Sequence, residues 1–173
     1  MPSVQIGMTN AECKNSSPGI PKHACTNIRL IADFGVEGDY HAGPFIRYRY
    51  LARKDPAARN HRQVLLADER TIRDVAQCGI TIFPGQLGEN ILVSDIGLVL
   101  LPIGTQLQIG ASIIELTEIR HPCDQLNVIH PKLLECVMPD KNDPRTYNAG
   151  MFGVVLQSGD ISIGEQVLLI NSI

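Results

Sequence analysis

A chain of 173 residues and 18.9 kDa fits one hydrophobic core and needs no second. With 44% hydrophobic and 19% charged residues it is excluded from the disordered class, and a formal charge of −3 argues against nucleic-acid binding, which normally shows as a basic domain. No stretch approaches the ~18 apolar residues of a membrane span, and MPSVQIGMTN lacks the features of a secretory signal, so a cytoplasmic protein with no membrane partner is expected.

The absence of Trp leaves the core to Ile, Leu and Val, and the abundance of Gly and Pro favours short strands joined by tight turns. We therefore expect a single, mainly β domain over residues 1–173. SVQIGM alternates as a first strand, SSPGIPK breaks it, and a second strand lies within ACTNIRLIAD. From FGVEGDYHAG to about Asn60 no period is visible, which makes a long loop or lid. RQVLLA resumes as a strand and DERTIRDVAQCG follows as a helix, capped by Asp68 and stopped by Gly79. After FPGQLGEN, the segments ILVS, LVLL, TQLQIG and ASIIELTEI read as strands at the spacing of a barrel or sandwich. DQLNVIHPKLLECV is helical but broken near His130 by Pro131, and SGD is expected to turn a terminal hairpin.

Six of the fifteen basic residues, Arg47, Arg49, Arg53, Lys54, Arg59 and Arg62, fall between positions 41 and 62, with Asp55 the only acid among them. A basic strip in an acidic protein suits a small anionic ligand or a docking strip, because the remaining surface would repel a polyanion. A solvated, arginine-rich loop explains the strip equally well.

Three stretches carry candidate chemistry. In EIRHPCDQL, Pro122 ends strand pairing and lifts Cys123 out at a strand terminus, where Arg120 and His121 can favour the thiolate. Burial is the commonest fate of cysteine, so the local sequence leaves both readings open. In GVEGDYHAG, Glu37, Asp39 and His41 would share one face of an extended chain, although the glycines imply a bend. In PGQLGEN the glycines let the backbone approach a ligand, and Asn90 offers both donor and acceptor. Five cysteines with no CxxC pair read as free thiols rather than a disulfide framework or a zinc site.

Taken in order, GVEGDYHAG, RQVLLAD, PGQLGENI, LPIGTQLQIG, RHPCDQL and GMFGVVLQSGDISIGEQV resemble the MOSC domain family, the C-terminal domains of molybdenum-cofactor sulfurases and their small stand-alone relatives. The resemblance spans roughly residues 3–170. It implies a pyruvate-kinase-barrel-like β-barrel with a few short helices. Gly35, Gly38, Asp39 and His41 match its first loop, Arg62 its next strand, Gly88, Glu89 and Asn90 its glycine-asparagine loop, and Arg120 and Cys123 its cysteine motif. Tyr40 stands where relatives often carry a basic residue, and Glu165 where an aspartate is usual.

What the resemblance implies functionally is a molybdenum cofactor (molybdopterin) held in part by Asp39, His41, Arg62, Gly88, Glu89, Asn90 and Arg120, with Cys123 as catalytic residue and metal ligand. The corresponding activity is reduction of N-hydroxylated or similar small compounds. It would need an electron-donor protein, since the chain has no flavin or iron-sulfur motif. The alternative is a sulfur carrier holding a persulfide on Cys123, supplied by a sulfur-donor protein. Pyridoxal phosphate belongs to a different domain of the sulfurases and is not expected.

Overall fold

The computed structural model describes residues 4–94 and 96–171. Its frame is a closed barrel of seven strands: β1 (Val4–Lys14), β5 (Val64–Asp68), β6 (Ile91–Val93), β7 (Gln106–Ile109), β8 (Ser112–Ile119), β9 (Met151–Gln157) and β11 (Gln166–Asn171). Around the ring the order is β11, β7, β8, β9, β5, β6, β1 and back to β11. Every pairing is antiparallel except β5 with β6. Their connection runs through a helix, as a parallel pair requires.

One strand closes the ring. The start of β1 pairs with β11, its middle with β6, and its end with the short β2 (His23–Cys25). Register shifts at Gln5/Gly7 and Thr9/Ala11 let one strand serve three neighbours, because each bulge bends and twists the ladder. Beside the barrel lies a sheet of β10 (Gly159–Ser162), β3 (Asn27–Ile31) and β4 (Gly35–Val36). Of the first expected strand, Ser3 lies outside the described residues.

Alternation divides the apolar residues between two cores. Leu66 and Ile91 point into the barrel with Leu107, Ile114, Leu116 and Val155. Their neighbours Ala67 and Leu92 point outward and pack under α2 (Glu69–Gln77) and α3 (Leu133–Val137), against Val75, Leu126, Leu133 and Val137. Asp68 caps α2 by accepting from Arg70 N, and its second oxygen accepts from Ile96 N and Leu98 N, fixing the turn after β6 as well. Gly79, at φ +76°, ends the helix as expected.

Four expectations change. LVLL is a 3-10 turn at Leu98–Leu100, not a strand: Gly97 enters it in the left-handed conformation, and the bonds Leu100 N to Gly97 O and Leu101 N to Leu98 O are local. SGD closes no hairpin, because β10 pairs with β3 rather than returning along β9. The unperiodic stretch contains a short helix, α1 (Arg49–Lys54), and its base is closed by the bridge between Phe45 and Arg59. Cys78 and Cys136 are not free thiols; they form a disulfide between the end of α2 and α3.

Candidate functional site

A cleft of about 630 Å³ opens where the residue 19–22 loop, the 41–51 segment, the Gly88 turn and residues 120–125 meet. Cys123 stands on its rim, exposed, free and in extended backbone, immediately before a 3-10 turn over Asp124–Val128. Leu126 of that turn is fully buried in the outer core, which anchors the segment while leaving the thiol outside. Pro122 is buried and stops the pairing of β8, as its missing donor requires.

Arg120 is buried behind the cysteine. Its guanidinium donates to the carbonyls of Leu87 and Ala149, so it ties the glycine loop to the segment leading into β9 while still lining the cleft. Burial lowers its pKa from the ordinary value. Arg62 pairs with Glu118 and lies over the rings of Tyr48 and Phe152, at 5.3 and 5.0 Å from their centroids. His41 stacks on Tyr48 with centroids 4.1 Å apart, and its Nδ1 is buried without a partner. Burial and the nearby Lys22 charge push its pKa down to about 4, so its ring is neutral at neutral pH.

Asp39, Glu89 and Asn90 do not line the cleft; they build its wall. Asp39 forms a buried ion pair with Lys22 Nζ at 2.9 Å and accepts from Asn15 N, His41 N and Asn90 Nδ2. Burial raises its carboxyl, but Lys22 and these donors outweigh that and hold it below the ordinary value. Asn90 is fully used: Oδ1 accepts from Leu65 N, and Nδ2 donates to Cys13 O as well as to Asp39. Glu89 accepts from Gly85 N, while its Oε2 is buried without a partner and burial raises its pKa. Glu37 is exposed, and Gly38 at φ +79° bends the chain, so Glu37, Asp39 and His41 share no face.

The two loop glycines differ in purpose. A Cβ on Gly85 would come within 2.2 Å of Lys22 O, so this glycine admits the chain's own backbone rather than a ligand. Gly88 lines the cleft, and a Cβ there would meet Ile20 at 2.7 Å.

Sequence reasoning overlooked Lys22, Tyr48 and Phe152. Lys22 is the only lysine in a run of loop breakers, and RYRY alternates cation and ring, which is the signal that could have marked Tyr48. Of the basic strip, Arg49 and Arg62 reach the cleft. Arg47 lies over Tyr40 and donates to its carbonyl, and Arg59 faces Asp33 on the surface. The lining thus carries Lys22, Arg49, Arg62 and Arg120 and no carboxylate, among the described residues, in a protein of net negative charge.

A family model described as the MOSC domain matches residues 37–168, well over half of the chain, and this span contains Cys123, Arg49, Arg62, Arg120 and the glycine loop. The chain belongs to the MOSC domain family. Members of this family are associated with molybdenum-cofactor binding. Solved structures agree on the fold. The chain is similar to the YuaD protein from Bacillus subtilis, with TM-score 0.66 and 19% identity over 97% of this chain and 95% of that one. It is also similar to YiiM from Geobacillus stearothermophilus, with TM-score 0.65 and 17% identity over 98% and 76% of the two chains. YiiM from Escherichia coli gives TM-score 0.64 and 17% identity over 96% and 71%. No curated protein matches the chain significantly. Among the described residues no helix is long and apolar enough to cross a membrane. The MOSC barrel here therefore presents one free, exposed thiol beside a cleft lined by four basic side chains.

Proposed function

We propose that this MOSC domain binds an anionic molybdenum cofactor in the cleft, with Cys123 as the protein's ligand to the metal, and that it reduces small N-hydroxylated or similar compounds. The observation that carries the reading is the exposed Cys123 thiol beside a cleft lined by four basic side chains, two of which, Lys22 and Arg62, are held by Asp39 and Glu118. Cationic donors in a recess favour a phosphate-bearing group by charge-assisted hydrogen bonds. The donor set also fits: no three His, Cys, Asp or Glu side chains converge among the described residues, so a metal held by Cys123 must take its other donors from a bound molecule. The buried, unpartnered Nδ1 of His41 leaves one further polar atom at the cleft wall to be satisfied.

Within this reading the bound cofactor supplies two-electron redox chemistry at the metal. Lys22, Arg49 and Arg62 bind and orient its anionic part. Tyr48, stacked on His41, and the buried Phe152 hold Arg62 in place from behind. Neutral His41 can accept or donate one hydrogen bond without adding charge. An external electron-donor protein is required.

A second reading is favoured by the position of Cys123 on the rim rather than the floor: there the thiolate can receive a sulfane sulfur from a donor protein and hold it as a persulfide for delivery. Metal and sulfur analysis of protein from a host that makes the molybdenum cofactor separates the two. Stoichiometric molybdenum, lost in Cys123→Ser, supports the first; cyanide-releasable sulfur without metal supports the second. If Cys123→Ala changes neither, both readings fail and the cleft serves another anion.

A further inference from the structure

We propose that Cys78 and Cys136 form a dithiol–disulfide exchange site that takes protein dithiols as its partner and controls how firmly the Cys123 segment is held. The pair joins two elements distant in sequence. Cys78 follows the last residue of α2, Cys136 lies within α3, and the bond spans a sequence separation of 58. Outer-core packing brings them together, since Val75 and Ile80 flank Cys78 while Leu133 and Val137 flank Cys136 in the same apolar cluster.

Two features make the bond a reaction site rather than an inert staple. Cys78 is exposed, and Cys136 is half-buried beside it. Access of an attacking thiolate to a disulfide sulfur governs exchange, and exposed disulfides are the labile ones. Leu134 and Glu135, neighbours of Cys136 on α3, together with Met138 and Pro139, line a groove of about 570 Å³. Neither cysteine lines this groove, so a protein reductant seated in it would reach the bond from the α3 side.

The chemistry balances without a further reactant. One thiolate of the partner attacks the Cys78 sulfur, the bond to Cys136 breaks, and Cys136 leaves as a thiolate and takes up a proton. The second thiol of the partner, as thiolate, attacks the partner's first sulfur in the mixed disulfide, and Cys78 leaves as a thiolate that takes up a proton. The partner is oxidised by two electrons to its disulfide, and the Cys78–Cys136 bond is reduced to two thiols. A dithiol is favoured over a monothiol because its second sulfur is held at high effective concentration once the first has reacted.

The consequence reaches Cys123 through a short chain of contacts. Cys123 opens the 3-10 turn; Leu126 N donates to Cys123 O, and Leu134 N of α3 donates to Asn127 Oδ1 of that turn. Residues 123–137 therefore move as a packed unit, clamped to α2 at Cys136 when oxidised. When reduced, the unit keeps the apolar contacts of Leu126, Leu133 and Val137 and loses the covalent tie. The inference holds whether Cys123 carries a metal or a sulfur, so its failure would leave the proposed function standing.

The test uses the full chain, purified without thiol-blocking agents and read by peptide mass spectrometry. Cys78 and Cys136 should resist iodoacetamide until reduction. A thioredoxin-type dithiol protein should then open the bond several-fold faster than glutathione at equal thiol concentration. Opening should raise amide exchange over residues 123–137 and alkylation of Cys123 several-fold. The double variant Cys78→Ser, Cys136→Ser should show the raised rates with or without reductant; if it does not fold, reduced wild-type protein supplies the comparison. Labelling of Cys78 before reduction overturns the proposal. So does equal reduction by dithiol and glutathione, or an unchanged Cys123 segment after the bond opens.

Discussion

Glu12 should make the protein lose stability as the solution turns alkaline, and Glu12→Gln should remove that loss. Glu12 sits on β1 opposite Ile91, whose side chain points into the barrel, so the carboxyl lies in the inner core. It is fully buried and neither oxygen has a partner. Burial drives its pKa up to about 8 from 4.5; Thr9 relieves this only in part, since its hydroxyl donates to Ser162 O, and the Glu165 charge adds to the rise. The folded-state pKa is above the unfolded one, so the stabilising contribution is complete below about pH 4.5 and is lost as pH rises toward about 8. At ~1.36 kcal/mol per unit the full loss is about 5 kcal/mol above pH 8 and about 3 kcal/mol at pH 7. Glutamine keeps the shape but leaves a buried amide unsatisfied, which costs about 1–3 kcal/mol at every pH. Urea unfolding of both proteins between about pH 5 and 8.5 measures the difference. The variant should gain on the wild type steadily across that range. A difference independent of pH would mean that Glu12 finds water or a partner inside the barrel, and the reasoning would be wrong.

Three further outcomes follow from the same physics. Asp39→Ala strands the buried Lys22 ammonium and should cost about 3–5 kcal/mol in urea unfolding, whereas replacing the pair together by Lys22→Met and Asp39→Leu should cost much less. His41, with a folded pKa near 4 against an ordinary 6.5, withdraws stability as pH falls through that interval, by up to about 3 kcal/mol; His41→Phe keeps the stack on Tyr48 and should flatten the acid limb of the stability–pH curve. Reduction of the Cys78–Cys136 bond frees a loop of some 58 residues and should lower stability by about 4 kcal/mol on the chain-entropy account, read as a fall in the urea midpoint with reductant that the double serine variant lacks.

The strands were legible because their signal is local, while their closure into a barrel rather than a sandwich came only from the family resemblance. Alternation in β7 and β8 and the cap and stop of α2 depend on residues within a few positions of one another. Pairing is less so: nothing within SGD says that β10 will lie on β3, over a hundred residues earlier, and the general preference for hairpins points the wrong way. LVLL has strand composition, yet its neighbour Gly97 in the left-handed region turns it before a ladder can form. The disulfide escaped for the same reason, since its two cysteines meet only because α2 and α3 share one apolar cluster.

The candidate site shows more sharply where sequence reading stops. Cys123 was nameable only through its place in an ordered series of motifs, because the proline before it leaves an exposed and a buried sulfur equally open. The polar residues around it were not separable into those that face the ligand and those that hold the wall, since residue type alone gives the same donors and acceptors to both. Asn90 has a binding residue's chemistry, but three partners already use it. Asp39, an acid in a glycine-rich loop, looks like a ligand, yet it is buried in an ion pair with Lys22 and does not line the cleft. A substitution at Asp39 would then change anion binding without touching the anion: Asp39→Asn should weaken pyrophosphate binding to the protein through Lys22, while Lys22→Met should weaken it at least as much and the double variant no further. Calorimetric titration that found the two losses additive would place Asp39 in contact with the anion and overturn its assignment to the wall.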